Sequence, residues 1–298
     1  MFYCRLLCIF FAIFIFIKPL YVWAQNNIEE RVNNNKEPVI VRNDEPLFID
    51  NNLVLLKRPK LFTAYAVPSI QYTNNAFLSP TNRQKDVIYA LNSGVNFGLK
   101  TANNIQFNAG ISASKYEYQK NSSLGYNTLQ GNINLSYTIK KFMISAGYTP
   151  AVVLQKDFNN RIITLNSYNI GVSRNFQIGN RILLSPYSNI GYTKSNPSDF
   201  SYYQFSSGLS ASYFFTPKVY LSVTPEIYQK SYKDFFEDRT GIARVDTGSR
   251  TSLNLSYSPK ENINFSARMG YNFNQSTLEG NGFINQTITP SVRFSYRF

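Results

Sequence analysis

The sequence predicts an all-β fold, a transmembrane antiparallel up-and-down β-barrel of about 12 strands. Three observations carry that prediction: a period-2 alternation of apolar and polar residues running from Leu61 to the end, connections that alternate between short and long, and a composition suited to strands. Of the 298 residues, 16% are aromatic and only 16% are charged, against roughly a quarter charged in soluble domains. Tyr, Phe, Ser, Thr and Asn make up the difference, and aromatic residues sit better on a pleated sheet than in a helix.

The chain opens with MFYCRLLCIFFAIFIFIKPLYVWAQ. Arg5 is the basic start, residues 6–17 form a 12-residue apolar run, and Val22-Trp23-Ala24 is a small-x-small cleavage site. A signal peptide over 1–24, cut after Ala24, is expected. The apolar run falls well short of the roughly 20 residues of a spanning helix; an uncleaved anchor is the alternative. Cleavage removes Arg5, Lys18, Cys4 and Cys8, taking the net charge from +13 to +11 and leaving no thiol. Neither a disulfide nor a soft-metal site can then form.

Residues 25–60 hold six acids and six bases in an Asn-rich background. They read as a periplasmic N-terminal arm or linker. Two short apolar runs within it, PVIV (38–41) and NLVLL (52–56), could dock on a partner or plug a pore.

The barrel proper is expected over 61–298. In NIQFNAGISAS, Ile105, Phe107, Ala109, Ile111 and Ala113 alternate with small polar residues. Leu129, Ile133, Leu135 and Tyr137 do so next, and Ile263, Phe265, Ala267, Met269, Tyr271 and Phe273 later. Twelve such runs fall at about 61–72, 85–99, 104–118, 127–138, 142–154, 162–176, 181–193, 200–214, 219–231, 244–257, 263–274 and 284–298. Short turns begin near Thr101, Ile139, Gln177, Phe215 and Pro259. Longer loops cover 73–84, 119–126, 155–161, 194–199, 232–243 and 275–283. Five short turns, six long loops and both barrel ends on the short-turn side make the layout of a bacterial outer-membrane barrel. A tilted membrane strand needs about 9–11 residues, which nearly every run supplies.

A soluble β-sandwich also alternates, but it must bury its apolar face against a second sheet. Here the polar face is small and mostly uncharged, which lipid outside and water inside explain better than a dry core. Tyr137, Tyr257, Phe176, Phe214 and Tyr296 lie at strand ends, where an interfacial girdle would place them.

Parity sets the lumen face. Arg250, Arg268 and Arg293 fall mid-strand on three consecutive strands and share the inward face, as do Arg244, Asp246, Glu226 and Lys230. The three arginines are expected to form an anion-attracting wall, since guanidinium matches carboxylate and phosphate. An internal salt-bridge network using Asp246 and Glu226 is the competing reading. The barrel carries 22 bases against 11 acids. Part of that surplus lies near loops (Lys85, Lys156, Arg161, Lys194, Lys233, Arg239), where it would equally meet lipopolysaccharide phosphates. Eight-stranded barrels are filled by side chains and those of 16–18 strands hold an aqueous channel; twelve strands lined by Ser, Thr, Asn and Gly predict a narrow, water-filled lumen.

The chain has no histidine. That excludes His-based triads and His metal sites, and no base is placed to activate a serine. No catalytic residue, metal site or cofactor is expected. The bases are scattered and no nucleic-acid motif is present, so no nucleic-acid partner is expected either.

The last strand, TITPSVRFSYRF, ends on Phe298 with Tyr296, Phe294, Val292 and Ile288 on the same face. It resembles the C-terminal signature of Gram-negative outer-membrane proteins. That resemblance implies an outer-membrane targeting signal at Phe298, Tyr296 and Phe294, read by the barrel-assembly machinery. The stretch YTNNAFLSPTNRQKDVIYAL (72–91) is similar to the first hairpin of β-barrel porins, an Asn/Asp-rich turn and a loop leading into an Asp-led strand. The expectation is a porin-like channel for passive diffusion of small, preferentially anionic solutes, embedded among outer-membrane lipid and lipopolysaccharide. The alternative is a non-conducting surface barrel that binds a partner through its loops or the 25–60 arm, in an adhesin or assembly role.

Overall fold

A computed structural model describes residues 47–49, 53–55, 61–101, 104–158, 160–236, 243–278 and 281–298. The chain divides into two units, Met1–Pro59 and Lys60–Phe298. In the first, Leu47–Ile49 pairs antiparallel with Leu53–Leu55. The signal segment with Ala24, and the rest of the arm, lie outside the described residues.

The second unit is a closed 12-strand antiparallel barrel. Its strands are β1 (Phe62–Thr73), β2 (Asp86–Lys100), β3 (Ile105–Tyr118), β4 (Tyr126–Ile139), β5 (Phe142–Gln155), β6 (Arg161–Arg174), β7 (Ile182–Asn196), β8 (Tyr202–Thr216), β9 (Val219–Phe236), β10 (Ala243–Lys260), β11 (Ile263–Ser276) and β12 (Phe283–Arg297). Each pairs with its sequence neighbours, and β12 returns to β1 in the register Thr287↔Thr73 to Arg297↔Thr63. Phe62 and Phe298 exchange backbone hydrogen bonds of 3.1 and 3.0 Å, which brings both ends of the barrel to the short-turn side. Single 3-10 turns at Ser122–Leu124 and Ser198–Phe200 punctuate two of the long loops.

The side-chain arrangement inverts that of a soluble fold. Among the described residues, the buried hydrophobics are Ile88, Tyr228 and Leu278 alone, while Asn75, Asp86, Asn127, Asp246, Asn274 and several serines and threonines are buried. Apolar residues point outward into the surroundings: Ile111 is 70% exposed, Ile190 66% and Ile170 64%. Cross-strand pairing aligns these outward residues in rows, as Ile190↔Phe205 and Leu135↔Ala146 show. Inside, glycines face asparagines, as in Asn96↔Gly110↔Asn132 and Gly171↔Asn189, so the wall is lined by short polar groups.

Three departures from the sequence reading have local causes. The sixth run breaks at Asn175, resuming as the three-residue strand Phe176–Ile178, because the ladder there meets Pro186 of β7, which has no N–H to give. β9 and β10 run to 18 residues each, β9 into the stretch that composition marked as loop and β10 to Lys260, past the expected start of the turn at Pro259. Tyr232 packs on the Tyr202 ring at 5.4 Å and so extends the sheet outward. Phe214 does not join the outer girdle. It pairs with Tyr220 on the lumen side, with ring centroids 5.7 Å apart, while its neighbours Tyr213 and Phe215 face outward. The Tyr213-Phe214-Phe215 run is aromatic at both parities, so alternation alone cannot assign it.

The 72–91 stretch proves to be the polar fastening of the loop end. The Asn75 side-chain amide donates to the Ser79 and Ile284 carbonyls at 2.8 and 2.9 Å, tying the first loop to β12. The Asp86 carboxylate accepts from the backbone N–H of Val87, Lys120 and Asn121 (2.7, 3.0 and 3.0 Å) and from the Asn121 amide at 2.8 Å, tying β2 to the next loop.

Candidate functional site: the basic lumen wall

The lumen faces of β8 to β12 carry the charge that parity predicted, and the register fixes its spacing. Glu226 of β9 stands opposite Arg250 of β10, which stands opposite Asn272 of β11. Arg268 lies four residues from Asn272 along β11, opposite Thr289 of β12, and Arg293 lies four residues beyond Thr289. The three arginines therefore do not form a level row. They descend as a staircase, dropping about 13 Å along the strand at each step toward the short-turn end, at roughly 3.3 Å per residue. Lys230 and Arg244 continue it toward the loop end.

Each step has its own partners. Arg250 donates to Glu226 through Nε at 2.9 Å and through a closer Nη2 contact, and its guanidinium lies 5.0 Å from the Tyr228 ring. The Tyr187 hydroxyl donates to the other Glu226 oxygen at 2.9 Å. Nearer the loop end, Arg244 holds Asp246 with two bonds of 3.0 and 2.8 Å and stacks 4.3 Å over Tyr232. Lys230 sits 4.7 Å above the Tyr202 ring. Arg293 stacks 4.5 Å over Tyr65 of β1. Arg268 has neither a carboxylate nor a ring partner among the described residues. The salt-bridge reading thus accounts for Arg250 and Arg244. Among the described residues it leaves Lys230, Arg268 and Arg293 without a carboxylate in salt-bridge reach, so five bases on this wall face two paired acids.

The tyrosines were the part that sequence reasoning missed. Tyr65, Tyr187 and Tyr228 each stand directly opposite a glycine, Gly94, Gly208 and Gly248. The missing side chain opens a slot into which the phenol lies flat. A Cβ at Gly248 would stand 2.7 Å from the Tyr228 hydroxyl oxygen, and one at Gly208 would stand 2.7 Å from that of Tyr187. Flattened rings present their faces to the lumen, where cations stack on them. The same parity that put Glu226 and Lys230 inside would have put Tyr228 and Tyr232 beside them, and the glycine register supplies the rest.

The arrangement offers fixed positive charge, aromatic faces and small hydroxyls along one wall. It provides no activated nucleophile. No group of three or more metal-ligating side chains gathers among the described residues.

The chain matches no family model, and no curated protein matches it. It does share its fold with solved barrels. An outer membrane channel from Pseudomonas putida F1 superposes with a TM-score of 0.54 at 8% identity, over 84% of this chain and 100% of the other. The NanC porin gives 0.47 at 10% identity over 77% and 98%, and an anion-selective porin from Comamonas acidovorans gives 0.41 at 8% over 79% and 98%. At 8% identity the likeness to the Pseudomonas putida channel is one of fold. The chain has the architecture of outer-membrane β-barrels.

Proposed function

We propose that the protein is an outer-membrane channel through which small, preferentially anionic solutes diffuse passively. The observation that carries this reading is the basic staircase Lys230, Arg244, Arg250, Arg268 and Arg293, which follows the lumen wall with, among the described residues, Glu226 and Asp246 as the acids paired to it. An anion entering from either end meets a cation at each level, and the small Asn, Ser and Gly lining leaves room for water beside it. The role is non-enzymatic, in keeping with a chain that lacks histidine. Export would follow from the 1–24 leader and insertion from the Phe298, Tyr296 and Phe294 signal recognised by the barrel-assembly machinery. Membrane lipid and lipopolysaccharide would surround the apolar exterior.

Planar-bilayer recording tests the reading. The folded protein should give stepwise conductance, with a reversal potential in a KCl gradient that marks chloride preference. Replacing Arg250, Arg268 and Arg293 together with Gln should move that potential toward zero or past it. A silent bilayer, both from the intact chain and from one lacking 25–60, would instead favour a non-conducting barrel that binds a partner through its loops or arm.

A further inference from the structure

The outward surface carries a feature that conduction does not use. A trough of about 780 Å³ crosses β10, β11, β12, β1, β2 and β3, running across the strands instead of along them. Six strands at about 4.8 Å give it a length of roughly 24 Å. Its lining includes the small or flat side chains Ala267, Pro290 and Pro68 and the larger Phe265 and Leu91. The trough sits on the closing seam, where the β12–β1 ladder is interrupted. Register pairs run Thr287↔Thr73 and Ile288↔Tyr72, then only Ser291↔Ser69 before Phe294↔Ala66. Pro290 and Pro68 each lack the N–H that would bridge the gaps.

At its loop-side end the trough meets Lys115 and Glu117, outward-facing residues of β3 joined at 2.8 Å and each about half exposed. An ammonium can bind a phosphate, and a carboxylate beside it can accept hydrogen bonds from sugar hydroxyls. We propose that this trough is a binding site for a phosphorylated glycolipid of the outer leaflet, with an acyl chain along Pro290, Pro68 and Leu91, a phosphate on Lys115 and a sugar hydroxyl on Glu117. The proposal rests on the outer-membrane reading, which turns the loop end toward the outer leaflet.

The test uses tryptophan fluorescence, because Trp23 is the only tryptophan of the chain. In the full chain carrying Trp23→Phe, single reporters are placed in the trough by Leu91→Trp or Ile70→Trp, and on a distant outward face by Ile190→Trp. Each is folded into vesicles of brominated phosphatidylcholine, which quenches lipid-facing tryptophan. Unbrominated diphosphoryl lipid A should relieve quenching at Leu91→Trp and Ile70→Trp at mole fractions that leave Ile190→Trp quenched. Adding Lys115→Gln should raise the lipid A fraction needed for half-relief by about fivefold, the loss of one charge-assisted contact. Equal relief at all three positions, no relief in the trough, or equal relief there by unbrominated phosphatidylglycerol would overturn the proposal. If Ile190→Trp is not quenched at all, the barrel has not entered lipid, and the membrane reading falls together with the site.

Discussion

Arg250 and Arg244 each face a carboxylate, yet the two pairs differ in what they can contribute. Arg250 is 47% exposed as a side chain and Glu226 15%, so this pair is more screened than the Arg244 pair and contributes less to stability. On the channel reading, Glu226 matters more as a countercharge to Arg250. Glu226→Gln should lower the unfolding midpoint in urea less than Asp246→Asn does while raising the chloride-to-potassium permeability ratio, because Arg250 is then uncompensated. Asp246 is buried beneath Arg244, whose guanidinium is itself mostly covered. Asp246→Asn should cost about 3 kcal/mol of stability, since it takes the charge from the carboxylate that receives both Arg244 bonds in a largely buried pair; the same urea titration reads it. Gly248 separates from other glycines on similar grounds. A methyl group there would press on the Phe273 carbonyl of the backbone and on the Tyr228 ring, whereas at Gly98 it would meet only the mobile Asn108 amide at 3.3 Å. Gly248→Ala should lower stability by about 1–3 kcal/mol through overpacking, and Gly98→Ala by much less, in a parallel thermal melt followed by circular dichroism.

At the scale of strands and loops, Asp86 shows how a polar side chain substitutes for missing ladder bonds. Three backbone N–H groups and one amide converge on its carboxylate, and two of those N–H groups belong to the loop that follows β3. Asp86→Asn replaces one acceptor oxygen by a donor and removes the charge, so the 119–125 loop should loosen while the barrel stays folded. Limited trypsin digestion should then cut after Lys120 faster than in the parent chain, with the heat-resistant mobility of the barrel retained. The strands themselves were legible in the sequence because a two-sided environment writes a period of two. Every run from 61 to 298 is a strand within a few residues, except where Pro186 splits the sixth and where the Tyr232–Tyr202 packing lengthens the ninth. Inward placement of Arg250, Arg268 and Arg293 followed from the same parity. Their staggering did not, because strand register depends on turn geometry and proline gaps, neither of which an alternation pattern encodes. The tyrosine slots were hidden for the same reason: Tyr228 and Gly248 are twenty residues apart and meet only through register.

For the molecule as a whole, the channel reading makes the field along the lumen wall the decisive quantity. The bases of the staircase are attached to the wall and do not gather at one mouth, so an ion diffusing through such a channel would stay within reach of one of them along most of its path. Fixed charges in water act over about 10 Å at 0.1 M salt and about 3 Å at 1 M. The chloride preference should therefore be pronounced when both chambers are near 0.1 M KCl and should shrink markedly near 1 M, while the conductance continues to rise with salt. A pore whose selectivity came from one tight, desolvated arginine site would behave differently, since a buried contact is weakly screened and its preference would persist at high salt. The Arg268→Gln and Arg293→Gln changes, made singly, should each remove part of the low-salt preference and leave the high-salt value untouched, because they are neighbouring steps of one distributed field. Reversal potentials measured for the parent and both variants at the two salt levels check this. If the preference survives 1 M salt, or if one substitution abolishes all of it, selectivity resides in a single binding site and the staircase is incidental to it.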